Sequence, residues 1–352
     1  MSEAVNAKGR EKSSAMNELD VNTQPSPAQK SEAASSAPEF AIATQPSYAR
    51  TLFLDADGLR PGWGLAFYVF AFLILQRLAV DLASSRDFGA SGLWSLMLGQ
   101  LGTLVAAVIP AVALARVERR PWKVYGLPLK QAFHRLFWIG ACWGFAAITL
   151  LLMALYGLHV FKFGHVILHG ARLARFAAFW AVFFLLVGLF EEFWLRGYAQ
   201  FTLARGIGFW PAASALSGAF GLMHLRNGGE HWTGLLAAAL LGFFFCLTLR
   251  RTGNLWFAVG FHAAWDWGET FFYSVPDSGS VWPGHLLNSS LHGPQWLSGG
   301  SVGPEGSALC FLVIAAIWIA FDRAYPHSGP RSGLLARATL RLSATAGSSS
   351  PE

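Results

Sequence analysis

Eight apolar stretches divide this 352-residue chain, and each is long enough to cross a lipid bilayer. A transmembrane helix needs about 20 mostly apolar residues, because an α-helix rises about 1.5 Å per residue across a hydrocarbon core about 30 Å thick. We therefore predict an all-α polytopic membrane protein with about eight transmembrane helices and a polar intramembrane cavity. The predicted spans are 62–83, 92–115, 136–156, 176–200, 208–226, 233–250, 255–274 and 306–324.

The composition supports this fold class. Charged residues make up 13% of the chain, about half the share of an average soluble domain, while hydrophobic residues reach 54%. A soluble fold of this size would need more polar side chains to cover its surface. The composition therefore excludes an ordinary soluble enzyme, a nucleic-acid-binding protein and a disordered protein. The three cysteines lie inside apolar runs without metal-ligand spacing, so we expect neither disulfides nor structural zinc.

The chain divides into three parts by composition. Residues 1–55 are rich in Ser, Ala, Pro, Glu and Gln, and they contain too few apolar side chains to offset the entropy cost of folding. We predict a disordered cytoplasmic tail there, a transmembrane domain over residues 60–325, and a second polar tail over residues 328–352.

The distribution of Lys and Arg predicts the orientation in the membrane. Six basic residues lie between Arg116 and Arg135, and further ones lie at Arg205, Arg250 and Arg251, whereas residues 275–305 contain no Lys or Arg. Connections rich in Lys and Arg stay in the cytoplasm. We predict a multi-pass protein of the cytoplasmic (inner) membrane with both termini cytoplasmic. The net charge of +6 comes from such clusters, so we expect the lipid bilayer, not a nucleic acid, as the partner.

Two adjacent carboxylates interrupt the fourth apolar span. Glu191 and Glu192 are the only acidic residues between positions 119 and 229, and an ionisable group at this depth is costly unless it is functional or paired. Arg196 follows Glu192 by four residues, which places the two on one helix face in the favourable order for an ion pair. The spacing predicts that Arg196 neutralises one glutamate and leaves the other available. A buried pair that only fixes helix packing is the structural alternative.

Two later spans carry ionisable residues at helical spacing. The fifth span ends in FGLMH at 220–224, so that Phe220 and His224 share a helix face. The seventh span contains HAAWD at 262–266, with His262 and Asp266 on one face. A hydrogen bond that joins helices would also explain the second pair.

The ordered set EEFWLR, FGLMH and HAAWD, each on its own predicted helix, resembles the three motifs of the CAAX-protease and bacteriocin-processing family. This family includes the Ras-converting type of CAAX prenyl endopeptidase and the bacterial Abi proteins, and its pattern is EExxxR, FxxxH and HxxxN or HxxxD. The resemblance covers roughly residues 60–324 and is densest over the motif core, residues 176–270.

The resemblance implies a role for each of six residues. Glu191 would act as general base on a water that it holds together with His224. Glu192 and Arg196 would orient Glu191 and balance its charge. His262 and Asp266 would stabilise the oxyanion that develops on the scissile carbonyl. Asp266 departs from the Asn of the eukaryotic members, and an ionised carboxylate cannot donate a hydrogen bond, so Asp266 would have to be protonated or to orient His262.

A zinc mechanism is the alternative to a metal-free one. Glu191, His224 and His262 could supply three protein ligands and leave an open position. His224 is followed by LRNG, so the HExxH helix of many zinc proteases is missing. The resemblance favours the metal-free mechanism, and we expect no cofactor.

These observations favour an intramembrane endopeptidase that resembles CAAX prenyl proteases and hydrolyses a peptide bond with an activated water. Its expected substrate is a peptide or protein, lipid-modified or membrane-bound. The first alternative is a non-catalytic membrane scaffold or bacteriocin-immunity protein on the same fold. A small transporter is the second, because intramembrane Glu and His residues also build proton relays.

Overall fold

A computed structural model describes residues 52–55, 58–85 and 92–326, so most of the predicted first tail and the whole of the second lie outside the described residues. The described part is helical, with two short antiparallel strand pairs. β1 (Leu54–Asp55) pairs with β2 (Gly58–Leu59), and β3 (Phe161–Lys162) pairs with β4 (Ser290–Leu291). The α-helices are α1 Pro61–Ser84, α2 Leu93–Val117, α3 Arg135–Gly157, α4 Gly170–Glu192, α5 Gln200–Ile207, α6 Phe209–Met223, α7 Trp232–Thr252, α8 Trp256–Trp267, α9 Gln295–Ser298 and α10 Ala308–Ala324.

Two π-helical segments extend this pattern. Phe193–Ala199 joins α4 to α5, and Gly268–Tyr273 continues α8. Single 3₁₀ turns lie at Trp122–Tyr125, Leu129–Gln131, His224–Arg226 and Pro304–Gly306. The prediction of an all-α polytopic protein is therefore confirmed.

Helices lie at all eight predicted spans, but their lengths differ. Five are long and apolar enough to cross a membrane: α1, α2, α3, α7 and the continuous segment Gly170–Ile207. The helix at 209–223 has 15 residues and the one at 308–324 has 17. At about 1.5 Å per residue, both are shorter than a hydrocarbon core about 30 Å thick. Pro211 and several small residues interrupt the apolar sequence of the fifth span.

The distribution of side chains is the reverse of that in a soluble protein. Phe70, Leu78 and Leu82 on α1 are exposed, whereas Glu192 and Arg196 are buried. Exposed apolar side chains on the outer faces of helices suit a lipid environment, and charged groups in such a protein face the bundle interior. Glu192 and Arg196 thus lie inside a bundle whose outer faces carry large apolar side chains.

The helix α8 lies at the centre of this bundle. It packs against α3, α4 and α7, and nine of its 12 residues are buried. Gly140 and Gly144 of α3 let α8 approach closely, since a Cβ on either would come within about 2.1 Å of a backbone oxygen of Phe257 or Phe261. Small residues four apart are the usual means of close helix packing in membranes. This contact positions the face of α8 that carries His262.

The basic connections meet at one end of the bundle. Arg205 at the end of α5 lies 3.9 Å from Glu118, which follows α2, and Arg251 of α7 forms an ion pair with Asp322 of α10. The backbone N–H of Leu255 donates to Gly126 in the loop between α2 and α3. The loop 275–305 lies at the other end, where β4 pairs with β3. The sequence prediction that these basic connections share one side agrees with these contacts.

Candidate active site

The pair Glu192–Arg196 lies at the junction of α4 and the first π-helical segment. Arg196 Nη1 donates to Glu192 Oε1 at 3.2 Å, and both side chains are almost fully buried. The predicted i,i+4 ion pair is therefore present. Gly197, the next residue, has non-helical backbone angles (φ −81°, ψ −112°). π-helical segments within α-helices occur frequently at functional sites, because the altered hydrogen bonding redirects side chains.

Aromatic rings enclose the guanidinium group of Arg196. Its Cζ lies 4.6 Å from the ring centroid of Phe220 and 5.8 Å from that of Phe245, both within the range of cation–π attraction. Gly242 of α7 provides the space, because a Cβ there would lie 2.3 Å from Arg196 Nη2. Phe220, the first residue of the second motif, thus helps to hold a residue of the first motif.

The imidazole ring of His262 lies close to the carboxylates of three site residues, Glu191, Glu192 and Asp266. Its Nδ1 lies 3.1 Å from Glu192 Oε1, while its Nε2 lies 3.5 Å from both Glu191 Oε2 and Asp266 Oδ2. The ring also stacks on Phe245 with centroids 5.8 Å apart. One imidazole therefore joins the first motif to the third, and its Nε2 is the nitrogen that faces Glu191.

The ring of His224 has a defined tautomer in its neutral form. Its Nδ1 lies 2.9 Å from the backbone carbonyl oxygen of Phe220. A carbonyl oxygen only accepts hydrogen bonds, so Nδ1 must carry the proton. The Nε2 of the neutral ring is then an acceptor, available to a water or another donor.

A cavity of about 180 Å³ brings these residues together. Four of the six predicted site residues line it, and the other two, Glu192 and Arg196, lie buried behind them. The side chain of Glu191 keeps 22% of its surface exposed, in contrast to 0% for Glu192. The predicted division between one neutralised and one available glutamate matches this geometry. The predicted site residues that line the cavity are Glu191, His224, His262 and Asp266.

The cavity also contains acidic residues that the sequence analysis missed. Asp277 and Glu305 belong to the loop 275–305 and line the cavity, and Glu269 of the second π-helical segment lies beside them. Burial, followed by the nearby carboxylate of Glu305, raises the pKa of Asp277 to about 8. The signal in the sequence is that this loop contains acidic residues and no Lys or Arg.

The ligands of the zinc alternative do not group at metal-ligand spacing. Among the described residues, the cluster whose ligand atoms all lie within 4.8 Å of one another is Glu269, Asp277 and Glu305. Glu191, His224 and His262 form no such cluster, although Glu191 and His262 are close.

Comparison with models of known protein families gives a match over the segment that carries the motifs. Residues 173–268 match the model of the family described as Type II CAAX prenyl endopeptidase Rce1-like. This segment contains all three motifs, at 191–196, 220–224 and 262–266, and it includes the four predicted residues that line the cavity. The match confirms the resemblance inferred from those motifs. No curated protein matches the chain significantly.

Proposed function

We propose that this chain is an intramembrane endopeptidase that hydrolyses a peptide bond with a water activated by Glu191 and His224. The observation that carries the proposal is the cavity lined by Glu191, His224, His262 and Asp266 within a segment that matches a CAAX prenyl endopeptidase family. These residue types can supply a base, a second proton acceptor and an oxyanion donor. A purely structural ion pair would not need a cavity beside it.

The nucleophile in this proposal is a water between Glu191 and His224. One of its hydrogens donates to a carboxylate oxygen of Glu191, and the other donates to Nε2 of His224, which is free because Nδ1 donates to Phe220. The water oxygen then directs a lone pair toward the substrate carbonyl. Glu191 takes the proton as the bond to carbon forms and passes it to the leaving amine.

The oxyanion donor in this proposal is His262. Its Nδ1 contacts Glu192, so Nε2 is the nitrogen that can donate to a developing negative charge when the ring is protonated. Asp266 lies 3.5 Å from the same Nε2, so its charge stabilises the protonated ring, and it does not itself contact the oxyanion, because an ionised carboxylate would repel it. Glu192 is a positioning residue between Arg196 and His262, which it contacts through the same oxygen, Oε1.

The substrate in this proposal is a peptide or protein segment at the membrane. The cavity combines the ionisable groups with apolar residues such as Phe184, Val187 and Leu241, which suits a chain that enters from lipid. The resemblance to prenyl endopeptidases extends the candidate substrates to lipid-modified termini. We propose the cytoplasmic membrane as the location, with both termini on the cytoplasmic side.

The first experiment identifies a substrate. Membrane proteins from cells that produce the wild-type chain or Glu191→Gln are compared by mass spectrometry for new peptide termini. The proposal expects termini that depend on the wild type and disappear with Glu191→Gln and with His224→Ala. His231→Ala is the matched control, because this exposed histidine lies seven residues after His224 and does not line the cavity. Identical termini with wild type and Glu191→Gln would contradict the proposal.

The second experiment addresses the metal. Phenanthroline binds zinc and similar transition metals through nitrogen donors. We expect cleavage by the purified protein to persist in its presence, since the proposed water is held by Glu191 and His224. Cleavage that stops with phenanthroline and returns with added zinc would establish the zinc alternative.

A further inference from the structure

Three carboxylates meet where the loop 275–305 closes over the end of α8. Glu269 lies in the π-helical segment that continues α8, Asp277 lies early in the loop, and Glu305 lies in the 3₁₀ turn before α10. One carboxylate oxygen of each lies within 4.8 Å of those of the other two. The proposed peptidase mechanism uses none of these three residues.

Glu269 is the buried member of this cluster whose carboxylate oxygens lack hydrogen-bond partners among the described residues. Its side chain is fully buried, and neither carboxylate oxygen has a hydrogen-bond partner among the described residues. A buried carboxylate without a donor or a counter-charge is strongly unfavourable. No described Lys or Arg forms an ion pair with the cluster, and the loop itself contains none. A proton or a bound cation would satisfy it, and the grouping of three carboxylate oxygens within 4.8 Å favours the cation.

The other two carboxylates are held in place by neighbouring donors. Asp277 Oδ2 accepts from Thr270 Oγ1 at 2.8 Å. Glu305 accepts from Trp265 Nε1 through Oε1 at 3.1 Å and from Ser278 Oγ through Oε2 at 2.7 Å. Donors of this kind fix carboxylates for metal binding, because they orient the oxygens and occupy their remaining lone pairs.

The type of ligand and the metal–oxygen bond lengths indicate which ion this cluster would bind. All three ligands are carboxylate oxygens, which suit hard divalent cations, whereas zinc in proteins is usually held by His and Cys. Calcium binds oxygens at about 2.3–2.6 Å, so two oxygens on opposite sides of the ion lie about 4.6–5.2 Å apart. Magnesium binds at about 2.0–2.1 Å and would require separations of at most about 4.2 Å. Oxygens that lie within 4.8 Å of one another can be bridged by calcium, whose longer bonds and flexible geometry accept a wider range of separations than magnesium does.

We propose that Glu269, Asp277 and Glu305 bind one Ca²⁺ ion, which fastens the loop 275–305 to the end of α8. Water completes the usual six to eight ligands. Asp277 and Glu305 also line the cavity that contains His262 and Asp266, so the ion stabilises the wall of that cavity. The proposal concerns binding and stability, and it does not depend on peptide-bond hydrolysis.

Thermal unfolding of the full-length protein in detergent tests this site. After removal of calcium with EGTA, adding millimolar Ca²⁺ should raise the Tm of the wild type by about 5 °C, because a ligand that binds only the folded state stabilises it. The same concentration of Mg²⁺ should give a smaller shift. Glu269→Gln should lose the Ca²⁺-dependent shift.

The Tm of Glu269→Gln in the absence of Ca²⁺ provides a second test. In EGTA, Glu269→Gln should unfold at or above the temperature of the wild type, because the neutral amide buries no charge and needs no proton to become neutral. Asp81→Asn is the matched control, since Asp81 is an exposed carboxylate paired with Arg77, and it should keep the full response to Ca²⁺. A wild type whose Tm ignores Ca²⁺, or a Glu269→Gln protein that responds like the wild type, would overturn the proposal.

Discussion

Two ion pairs with the same four-residue spacing show how environment determines the value of a charge. Arg77 and Asp81 on α1 lie 2.8 Å apart with 77% and 52% of their side chains exposed, whereas Arg196 and Glu192 are 1% and 0% exposed. Pairs exposed to water typically contribute about 0.2–1 kcal/mol, and Arg77 and Asp81 lie near the end of α1, at the edge of the predicted span. Removing one partner of a buried pair typically costs about 3–5 kcal/mol, because the other charge remains without compensation.

Arg196→Ala should therefore reduce both the amount of folded protein and its activity. The substitution leaves Glu192 buried with only His262 as a partner, and it removes the cation from between Phe220 and Phe245. Quantitative immunoblotting of membranes, together with thermal unfolding, measures the effect. Arg77→Ala is the control and should accumulate like the wild type. Normal accumulation and full activity of Arg196→Ala would show that the buried pair contributes neither to folding stability nor to activity.

Part of the site follows from sequence spacing alone. The pair Glu192–Arg196 was predicted from its four-residue separation, and the shared face of His262 and Asp266 was predicted in the same way. The bridge from His262 to Glu192 joins residues 70 positions apart, and no local pattern encodes it. Likewise, Asp277 and Glu305 reach the cavity only because the loop folds back over α8.

At the scale of elements, the close contact between α3 and α8 determines where His262 lies. Gly144 faces the backbone oxygen of Phe261, the residue before His262, and Gly188 of α4 packs against α8 from another side. Any side chain at Gly144 would push α8 away from α3. The position of His262 relative to Glu191 and Glu192 thus depends on a residue that contacts neither glutamate.

Gly144→Ala should lower activity and stability, because its Cβ would lie 2.1 Å from the oxygen of Phe261 and α8 would have to move. We expect a loss of about 1–3 kcal/mol, as is typical of overpacking, measured by thermal unfolding, with a lower cleavage rate. Gly157→Ala on the same helix is the control, since a Cβ added at Gly157 would have no neighbouring atom within 4 Å. Equal stability and equal cleavage rates of the two variants would show that the close contact between α3 and α8 does not determine the position of His262.

Helix positions were easier to predict than helix lengths. Hydropathy marked all eight helical segments, because a long apolar run has few alternatives in a membrane. It could not show that the helix at 209–223 ends after 15 residues in the turn that carries His224. It also could not show the π-helical segment at 193–199, in which Arg196 is buried and Gly197 has non-helical backbone angles.

At the scale of the whole molecule, the two ends of the bundle differ in charge. One end carries more of the Lys and Arg residues, and the other carries the loop 275–305, which has acidic residues and no Lys or Arg, with Lys162 of β3 beside it. Because basic loops prefer the cytoplasm, we expect the loop 275–305 and the proposed calcium site to face away from it.

Cysteine labelling measures this orientation. In a chain whose Cys142, Cys246 and Cys310 are replaced, Leu129→Cys and Val281→Cys present one thiol at each end, at positions where the native side chains are 73% and 71% exposed. A membrane-impermeant maleimide added to intact cells should label position 281 and should reach position 129 only after lysis. The reverse pattern would invert the predicted topology.

The central claim is that Glu191 and His224 together activate the water that cleaves a peptide bond. Its most direct test is the cleavage rate of a peptide substrate by the purified wild type, Glu191→Gln and His224→Ala, with accumulation and Tm measured alongside. Glu191→Gln keeps the size of the side chain and removes the proton acceptor, and loss of a general base typically lowers the rate by about 10²–10⁴-fold. We predict a loss of this size in each variant, with folded protein at the wild-type level, whereas cleavage that survives both substitutions would contradict the assignment of the site.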